Sequence, residues 1–106
     1  MLDVTAVTRY ITGVIKTFQT KLTAAVFQNL LPKGMSRDLA QTGRRKLMLV
    51  DQAFDLNDLR NPPGNHLEAL SGDRAGQHSI RINRQWRICF VWSDGDAYDV
   101  EIVDYH

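Results

Sequence analysis

A chain of 106 residues is long enough for one domain with its own hydrophobic core and too short for two. Hydrophobic residues make up 43% and charged residues 24% of the sequence, which is ordinary for a soluble globular protein and excludes a low-complexity chain. The formal net charge of +1 argues against an extended basic surface, and a single cysteine excludes an internal disulfide and a thiolate-rich metal site.

The first predicted segment is an N-terminal extension, residues 1–13. It contains an acid, a base and no continuous apolar run, so neither a secretory signal nor a membrane span is expected. One interpretation is a short helix with three apolar residues on one face: Val4, Val7 and Ile11. The alternative is that the true start codon lies further along the chain. The domain itself is therefore assigned to residues 14–106.

A strand and two helices are predicted next. Residues 14–18 are a β-branched and aromatic run, which is typical of a strand. Apolar residues then recur at helical spacing until Pro32 and Gly34: Leu22, Ala25, Val26 and Leu30. A second helix is expected after Ser36 as its N-cap, with Asp38 in the first turn, where a carboxylate favours the helix dipole. Its predicted apolar stripe comprises Leu39, Gly43, Leu47, Val50 and Phe54.

Three consecutive basic residues, Arg44, Arg45 and Lys46, lie off the apolar stripe of this second helix. Such a cluster predicts a solvated helix face, because charged side chains are mostly exposed. A face that contacts RNA is the alternative.

After the loop at residues 61–64 the pattern changes from helical to alternating. Alternation of β-branched and aromatic residues with polar residues predicts strands at 79–83 and 86–92. The Asp-Gly pair within residues 93–96 predicts a hairpin turn, because this pair readily adopts positive φ. A last strand is expected over residues 97–103.

This order of elements predicts an α+β fold. The N-terminal strand and two helices should pack on one face of a mainly antiparallel sheet of four to five strands. The other face is expected to be open and partly polar, with Arg81 and Arg87 on it. Trp86 and Trp92 are assigned to the core, with stacking on bases as the alternative. Cys89, between two apolar residues, is interpreted as a buried structural thiol, which fits a reducing cytoplasm.

The distribution of charge is more informative than its sum. Residues 61–92 carry four arginines and two acids, whereas residues 93–106 carry five acids and neither lysine nor arginine. This asymmetry favours a local anion site, and solvated surface charge is the alternative. Guanidinium groups suit phosphate, and a histidine can move a proton near neutral pH. The C-terminal third therefore contains groups that could bind and cleave RNA.

Motifs in the same region resemble a known family. GDRAGQ precedes a strand, QWRI lies in the next strand, and DYH ends the chain. Together with the opening IKTF, these motifs make residues 14–106 similar to the HigB-type (host inhibition of growth) toxins of the RelE/ParE superfamily. The resemblance implies a type II toxin that enters the A site of the 30S ribosomal subunit and cuts mRNA during translation, with no metal or cofactor.

The resemblance also implies the partners and the location. The toxin would be neutralised by a HigA-type antitoxin with a helix-turn-helix domain. It would reach operator DNA only through that antitoxin and would not bind a membrane. The implied location is the bacterial cytoplasm.

Roles for individual residues follow from motif position within the family. Attack by a ribose 2′-hydroxyl on the adjacent phosphorus needs a base, positive charge for the phosphorane oxygens and an acid for the leaving oxygen. The resemblance assigns Arg87 to the phosphate, with Arg81 as our choice of helper, and places the terminal residues Asp104, Tyr105 and His106 in the site. Further substrate-binding candidates are Arg74, Arg84, His78 and Ser71. For Arg74 the alternative is an ion pair with Asp73, and for His78 it is a surface position without a role.

One position departs from the family pattern. Many members have a lysine before the Gly-Asp of this loop, where this chain has Ser71. Loss of one cation from a phosphorane site is expected to lower the cleavage rate by roughly 10²-fold or more, so a milder toxin is predicted. Two other functions stay open: a non-enzymatic gyrase inhibitor of the ParE type, and a weakened toxin that acts mainly as an antitoxin-binding operon regulator.

Overall fold

The fold is taken from a computed structural model, which describes residues 2–3 and 13–105. The strands are β1 (Leu2–Asp3), β2 (Thr17–Phe18), β3 (Glu68–Ala69), β4 (His78–Arg81), β5 (Trp86–Ser93) and β6 (Asp96–Asp104). The helices are α1 (Lys21–Phe27) and α2 (Arg37–Asp51), and 3-10 turns lie at Leu56–Arg60, Pro63–Asn65 and Gly72–Arg74. The predicted helix of the N-terminal extension lies outside the described residues.

The strands form one mixed sheet in the order β1-β2-β6-β5-β4-β3. Neighbouring strands are antiparallel except for β2 and β6, which pair in parallel through Phe18 and Val100. Asp94 and Gly95 both have positive φ and form the predicted hairpin between β5 and β6. Both helices pack against this sheet, so the predicted α+β fold is confirmed.

Helix α1 is shorter than the sequence indicates. Thr20 caps it by accepting a hydrogen bond from the backbone of Thr23 at 3.2 Å, and the chain leaves the helix before Asn29, whose φ is +66°. The prediction of an apolar stripe through Leu22 and Leu30 is wrong, because these residues are 39% and 58% exposed. The residues that α1 buries are Thr23, Ala24, Val26 and Phe27.

Helix α2 begins as predicted. Ser36 is its N-cap and accepts a hydrogen bond from the backbone of Leu39 at 3.1 Å, and Asp38 lies in the first turn. Gly43, Leu47 and Val50 are buried against the sheet. The assignment of Phe54 to the same stripe is wrong: the helix ends at Asp51, and the Phe54 ring is 93% exposed.

The basic cluster of α2 is not simply a solvated face. The Arg44 guanidinium donates to the carbonyl of Phe27 at 3.3 Å, and the Lys46 ammonium donates to the side chain of Asn65. Burial lowers the pKa of Lys46, and the neighbouring Arg45 lowers it further. Two of the three bases therefore connect α2 to other segments of the chain.

The core lies between the helices and the sheet. Trp86 and Trp92 pack against it, and Cys89 is completely buried, as predicted. Burial raises the pKa of the Cys89 thiol, which keeps the thiol protonated. None of the helices in the described part of the chain is long and apolar enough to span a membrane.

Candidate active site

The centre of the candidate site is Arg87, on the sheet face that points away from the helices. Its Nε donates to Ser79 Oγ at 2.8 Å, and its Nη2 donates to the carbonyl oxygens of Ser79, at 3.4 Å, and of His66. The residue is 7% exposed. The prediction that this face is open around Arg87 is therefore wrong, because the segment containing His66 contacts the guanidinium.

A pocket of about 230 Å³ opens above this guanidinium. Four of the residues that line it were predicted from the sequence: Arg81, Arg84, Arg87 and Tyr105. The other three were not predicted: His66, Glu68 and Asn83. The structure thus brings together four of the predicted site residues.

Positive charge dominates the pocket. Arg81 and Arg87 are directly opposite each other on β4 and β5, and Arg84 lies in the turn between these strands. The carboxylate of Glu68 is 3.7 Å from Arg87 Nη2 and offsets part of this charge. Neighbouring like charges on paired strands repel each other, so an anion that binds between them is stabilised.

The arginine side chains are held in different ways. Arg87 is fixed from behind by backbone and hydroxyl oxygens, which orient its planar fork. Arg81 donates through Nε to the carbonyl of Asn83 at 3.0 Å and is half-buried. Arg84 is exposed at the edge of the pocket. Arg87 is therefore the preorganised group, and Arg84 is free to adapt.

The C-terminal end of β6, which pairs with β5 on the side away from β4, also reaches the pocket. The backbone N–H of Tyr105 donates to the carbonyl of Gln85 at 2.7 Å, and the Arg87 guanidinium carbon lies 5.6 Å from the centre of the Tyr105 ring. At this distance a guanidinium is attracted to an aromatic face. The Gln85 amide also donates to Asp104 Oδ2 at 3.1 Å. His106, which follows directly, lies outside the described residues.

Three predicted substrate-binding residues are not in the pocket lining. Arg74 donates to Glu101 at 3.3 Å, so its ionic partner is Glu101 and not Asp73. With Asp104 and Tyr105, Arg74 also lines a second, shallow depression beside the pocket. Ser71 is exposed at the start of the Gly72–Arg74 turn.

His78 lies on the helix-facing side of the sheet. It is half-buried, and its ring centre is 6.4 Å from that of Phe90, with which it pairs across the strands. Its Nδ1 is buried without a hydrogen-bond partner in the described part of the chain. The structure therefore places His78 on the opposite side of the sheet from Arg87.

Sequence reasoning missed His66, Glu68 and Asn83 because none of them belongs to a recognised motif. His66 follows the Pro63–Asn65 turn with φ +45° and ψ +57°, a left-handed conformation that is uncommon for a residue other than glycine. Glu68 forms the short edge strand β3. The available signal was that His66 and Glu68 lie in the segment that leads into the GDRAGQ motif and that Asn83 lies two residues before the QWRI motif. Among the described residues, no group of three or more His, Cys, Asp and Glu side chains could hold a metal ion.

Comparisons with known proteins give matches both in sequence and in fold. A family model described as "RelE-like toxin of type II toxin-antitoxin system HigB" matches residues 16–106. Toxin HigB-1 of Vibrio cholerae is 51% identical over 53 residues, which are 50% of this chain but only 56% of that protein. Endoribonuclease HigB of Proteus vulgaris is 33% identical over 92 residues, which are 87% of this chain and 99% of that protein.

A likeness in fold extends to more distant proteins. The YoeB-YefM complex from Staphylococcus aureus contains a chain that superposes with a TM-score of 0.56 at 15% sequence identity. The superposition covers 87% of this chain and 97% of that chain. At this identity the likeness shows a shared fold.

Proposed function

This chain belongs to the HigB family of RelE-like toxins of type II toxin–antitoxin systems, and we propose that it is a metal-independent endoribonuclease that cleaves mRNA in the ribosomal A site. The observation that carries the proposal is the pocket in which a preorganised Arg87 lies between Arg81, Arg84 and Tyr105. The endoribonuclease name of the Proteus vulgaris relative supports the proposal, since nearly the whole of that protein is matched.

In the proposed reaction Arg87 binds the scissile phosphate. The guanidinium is charged at every physiological pH and is already oriented, so it stabilises the phosphorane without reorganising. Arg81 adds a second positive charge across the strand pair. Tyr105 positions the substrate, and His106 donates a proton to the leaving 5′-oxygen. A 2′-hydroxyl nucleophile makes RNA the substrate and excludes DNA.

Dependence on the ribosome is part of the proposal. The net charge of +1 provides little long-range attraction for free RNA. Three arginines in one small pocket suit a single phosphate rather than an extended strand. The ribosome would therefore hold the mRNA in place, and the toxin would supply the reactive groups.

The proposed partner is an antitoxin of the HigA type with a helix-turn-helix domain, in the bacterial cytoplasm. Membership of a toxin–antitoxin family supports an antitoxin partner. A Staphylococcus aureus structure with the same fold is a heterotetrameric complex of the YoeB-YefM toxin-antitoxin. Operator DNA would be contacted through the antitoxin.

The function is tested by expressing the chain in bacteria and mapping mRNA 5′ ends, with and without the antitoxin. We expect growth arrest with new ends clustered inside translated codons, and both effects should disappear when the antitoxin is present. DNA damage without RNA cuts would identify a gyrase inhibitor instead. Absence of arrest would identify a regulatory protein without toxin activity.

Ser71→Lys is expected to increase the rate of mRNA cleavage. Ser71 begins the turn that leads to Arg74, and a lysine there restores the cation found at this position in many family members. The expected gain is about tenfold or more on programmed ribosomes, because a lysine side chain that reaches the phosphate from this turn would add one charge to stabilise the phosphorane. Ser71→Gln, which has similar length without charge, is the control. Equal rates for the lysine and glutamine variants would contradict the prediction.

Deletion of His106 alone is expected to lower cleavage by about 10²-fold, the usual contribution of a general acid. The readout is the rate on programmed ribosomes together with growth arrest in cells. Binding to the antitoxin serves as a control for folding. Unchanged arrest would remove His106 from the proposed mechanism.

A further inference from the structure

A carboxylate, that of Glu68, lines the pocket together with the arginines. Its Oε1 lies 3.7 Å from Arg87 Nη2, which is longer than a hydrogen bond but short enough for an ion pair. Nη2 already donates to the carbonyl oxygens of His66 and Ser79. Glu68 therefore attracts the guanidinium through its charge and takes no part in the hydrogen bonds that hold it.

The strand register places this carboxylate beside the guanidinium. Glu68 pairs with Ser79 across β3 and β4, and Ser79 Oγ accepts the hydrogen bond from Arg87 Nε. Directly paired residues point to the same face of a sheet, so Glu68 lies on the face that carries Arg87. The Glu68 side chain is 53% exposed, whereas that of Arg87 is 9% exposed. The arginine is thus the fixed member of the pair, and the carboxylate is the member that can turn into solvent.

An anion that binds to Arg87 must compete with this carboxylate. A phosphate oxygen is attracted by the same positive charge, and two anions a few ångströms apart repel each other. An ion pair with an exposed carboxylate contributes little binding free energy, so it weakens the anion site without closing it. The affinity of the pocket for any phosphate is therefore lower than its arginines would provide without Glu68.

We propose that Glu68 is a specificity-determining residue, a counter-ion that lowers the affinity of the pocket for phosphates in solution. This role rests on the ribonuclease activity and the ribosome dependence proposed above. Free RNA at low concentration leaves the pocket mostly empty, so its cleavage rate is proportional to affinity. The ribosome presents the phosphate of mRNA at a high effective concentration, so a moderate loss of affinity has little influence on that rate. Glu68 thus favours mRNA on the ribosome over free RNA.

The first test measures the binding of inorganic phosphate to the full chain and requires no cleavage. Phosphate that binds the folded state raises Tm as its concentration increases, and this rise gives the Kd. Glu68→Gln removes the charge and keeps the size of the side chain. Asp94→Asn is the matched control, because it changes the net charge equally and Asp94 is exposed in the hairpin outside the pocket lining.

We expect Glu68→Gln to bind phosphate about threefold to tenfold more tightly than the wild-type chain, because the repulsion from one exposed charge is gone. The affinity of Asp94→Asn should stay within about twofold of wild type, because its charge is screened by solvent and salt. Equal phosphate affinities of the wild-type chain and Glu68→Gln would overturn the proposal, as would an equal gain in Asp94→Asn.

The second test compares the cleavage of a free RNA oligonucleotide with that of mRNA on programmed ribosomes. Glu68→Gln should raise the rate on free RNA by the factor found for phosphate affinity and raise the rate on ribosomes less. Slower cleavage of both substrates would overturn the proposal, because Glu68 would then take part in the reaction itself. A wild-type chain that cleaves neither substrate would overturn the proposed function, and the phosphate titration would still decide whether Glu68 competes with anions.

Discussion

Arg87→Lys is expected to lower the rate of mRNA cleavage by about 10²- to 10³-fold, the scale for removing one donor to a developing anion. The guanidinium donates through Nε to Ser79 and through Nη2 to the His66 carbonyl, and Arg87 lines the pocket. A lysine ammonium is a compact, flexible point charge, so it cannot make these anchoring contacts and also present two donors to phosphate. The Arg87→Lys variant therefore keeps the positive charge but loses the fixed orientation of the hydrogen-bond donors.

Cleavage on programmed ribosomes measures this effect, with antitoxin binding as the control for folding. Arg84→Lys is the matched comparison, because Arg84 lies in the turn at the edge of the pocket and is exposed. We expect Arg84→Lys to lower the cleavage rate by less than about tenfold, because the lysine keeps a positive charge at this exposed position. Equal losses in the two variants would show that charge alone, and not the anchoring of Arg87, determines the rate.

Asn65→Ala is expected to destabilise the protein by about 2–4 kcal/mol, since each buried polar group left without a partner costs about 1–3 kcal/mol. The side chain of Asn65 is completely buried and bonds the carbonyls of Leu59 and Asn61. It also accepts from the Lys46 ammonium, whose pKa is lowered mainly by burial. Removing it leaves the carbonyls of Leu59 and Asn61 without this donor and the half-buried Lys46 ammonium without this acceptor.

Urea unfolding followed by circular dichroism gives the change in free energy. Asn57→Ala is the control, because Asn57 is exposed and its side chain bonds only Arg60 among the described residues. Exposed substitutions of this kind change stability by less than about 0.5 kcal/mol. Similar midpoints for the two variants would contradict the assigned role of Asn65. Cleavage should also fall in Asn65→Ala at temperatures where the protein stays folded, because the loop that places His66 against Arg87 is loosened.

These contacts connect the helical layer to the pocket. Lys46 on α2 bonds Asn65, and the next residue, His66, bonds Arg87 on β5. The 3-10 turn at Pro63–Asn65 thus links α2 to Arg87 on the far face of the sheet. The basic cluster of α2, interpreted from sequence as a solvated face, therefore contributes Lys46 to the support of the site.

Local patterns in the sequence determined most of the architecture. Alternation through residues 79–92, the Asp94-Gly95 turn and the Ser36 cap each depend on neighbouring residues, and all three are confirmed. The motifs QWRI and GDRAGQ led to the family, which the family model confirms over residues 16–106. Such features can be read from sequence because their physical cause lies within a few residues.

Tertiary structure alone decided which side chains share the pocket. Arg87 is buried because a carbonyl 21 residues away, that of His66, contacts it, and Arg74 pairs with Glu101, 27 residues away. Phe54 is exposed because α2 ends three residues before it. No local pattern encodes these contacts, since they depend on how loops fold back across a finished sheet. The sequence by itself thus determined the fold class, the family and the arginine at the centre, and packing of the loop around His66 decided what surrounds that arginine.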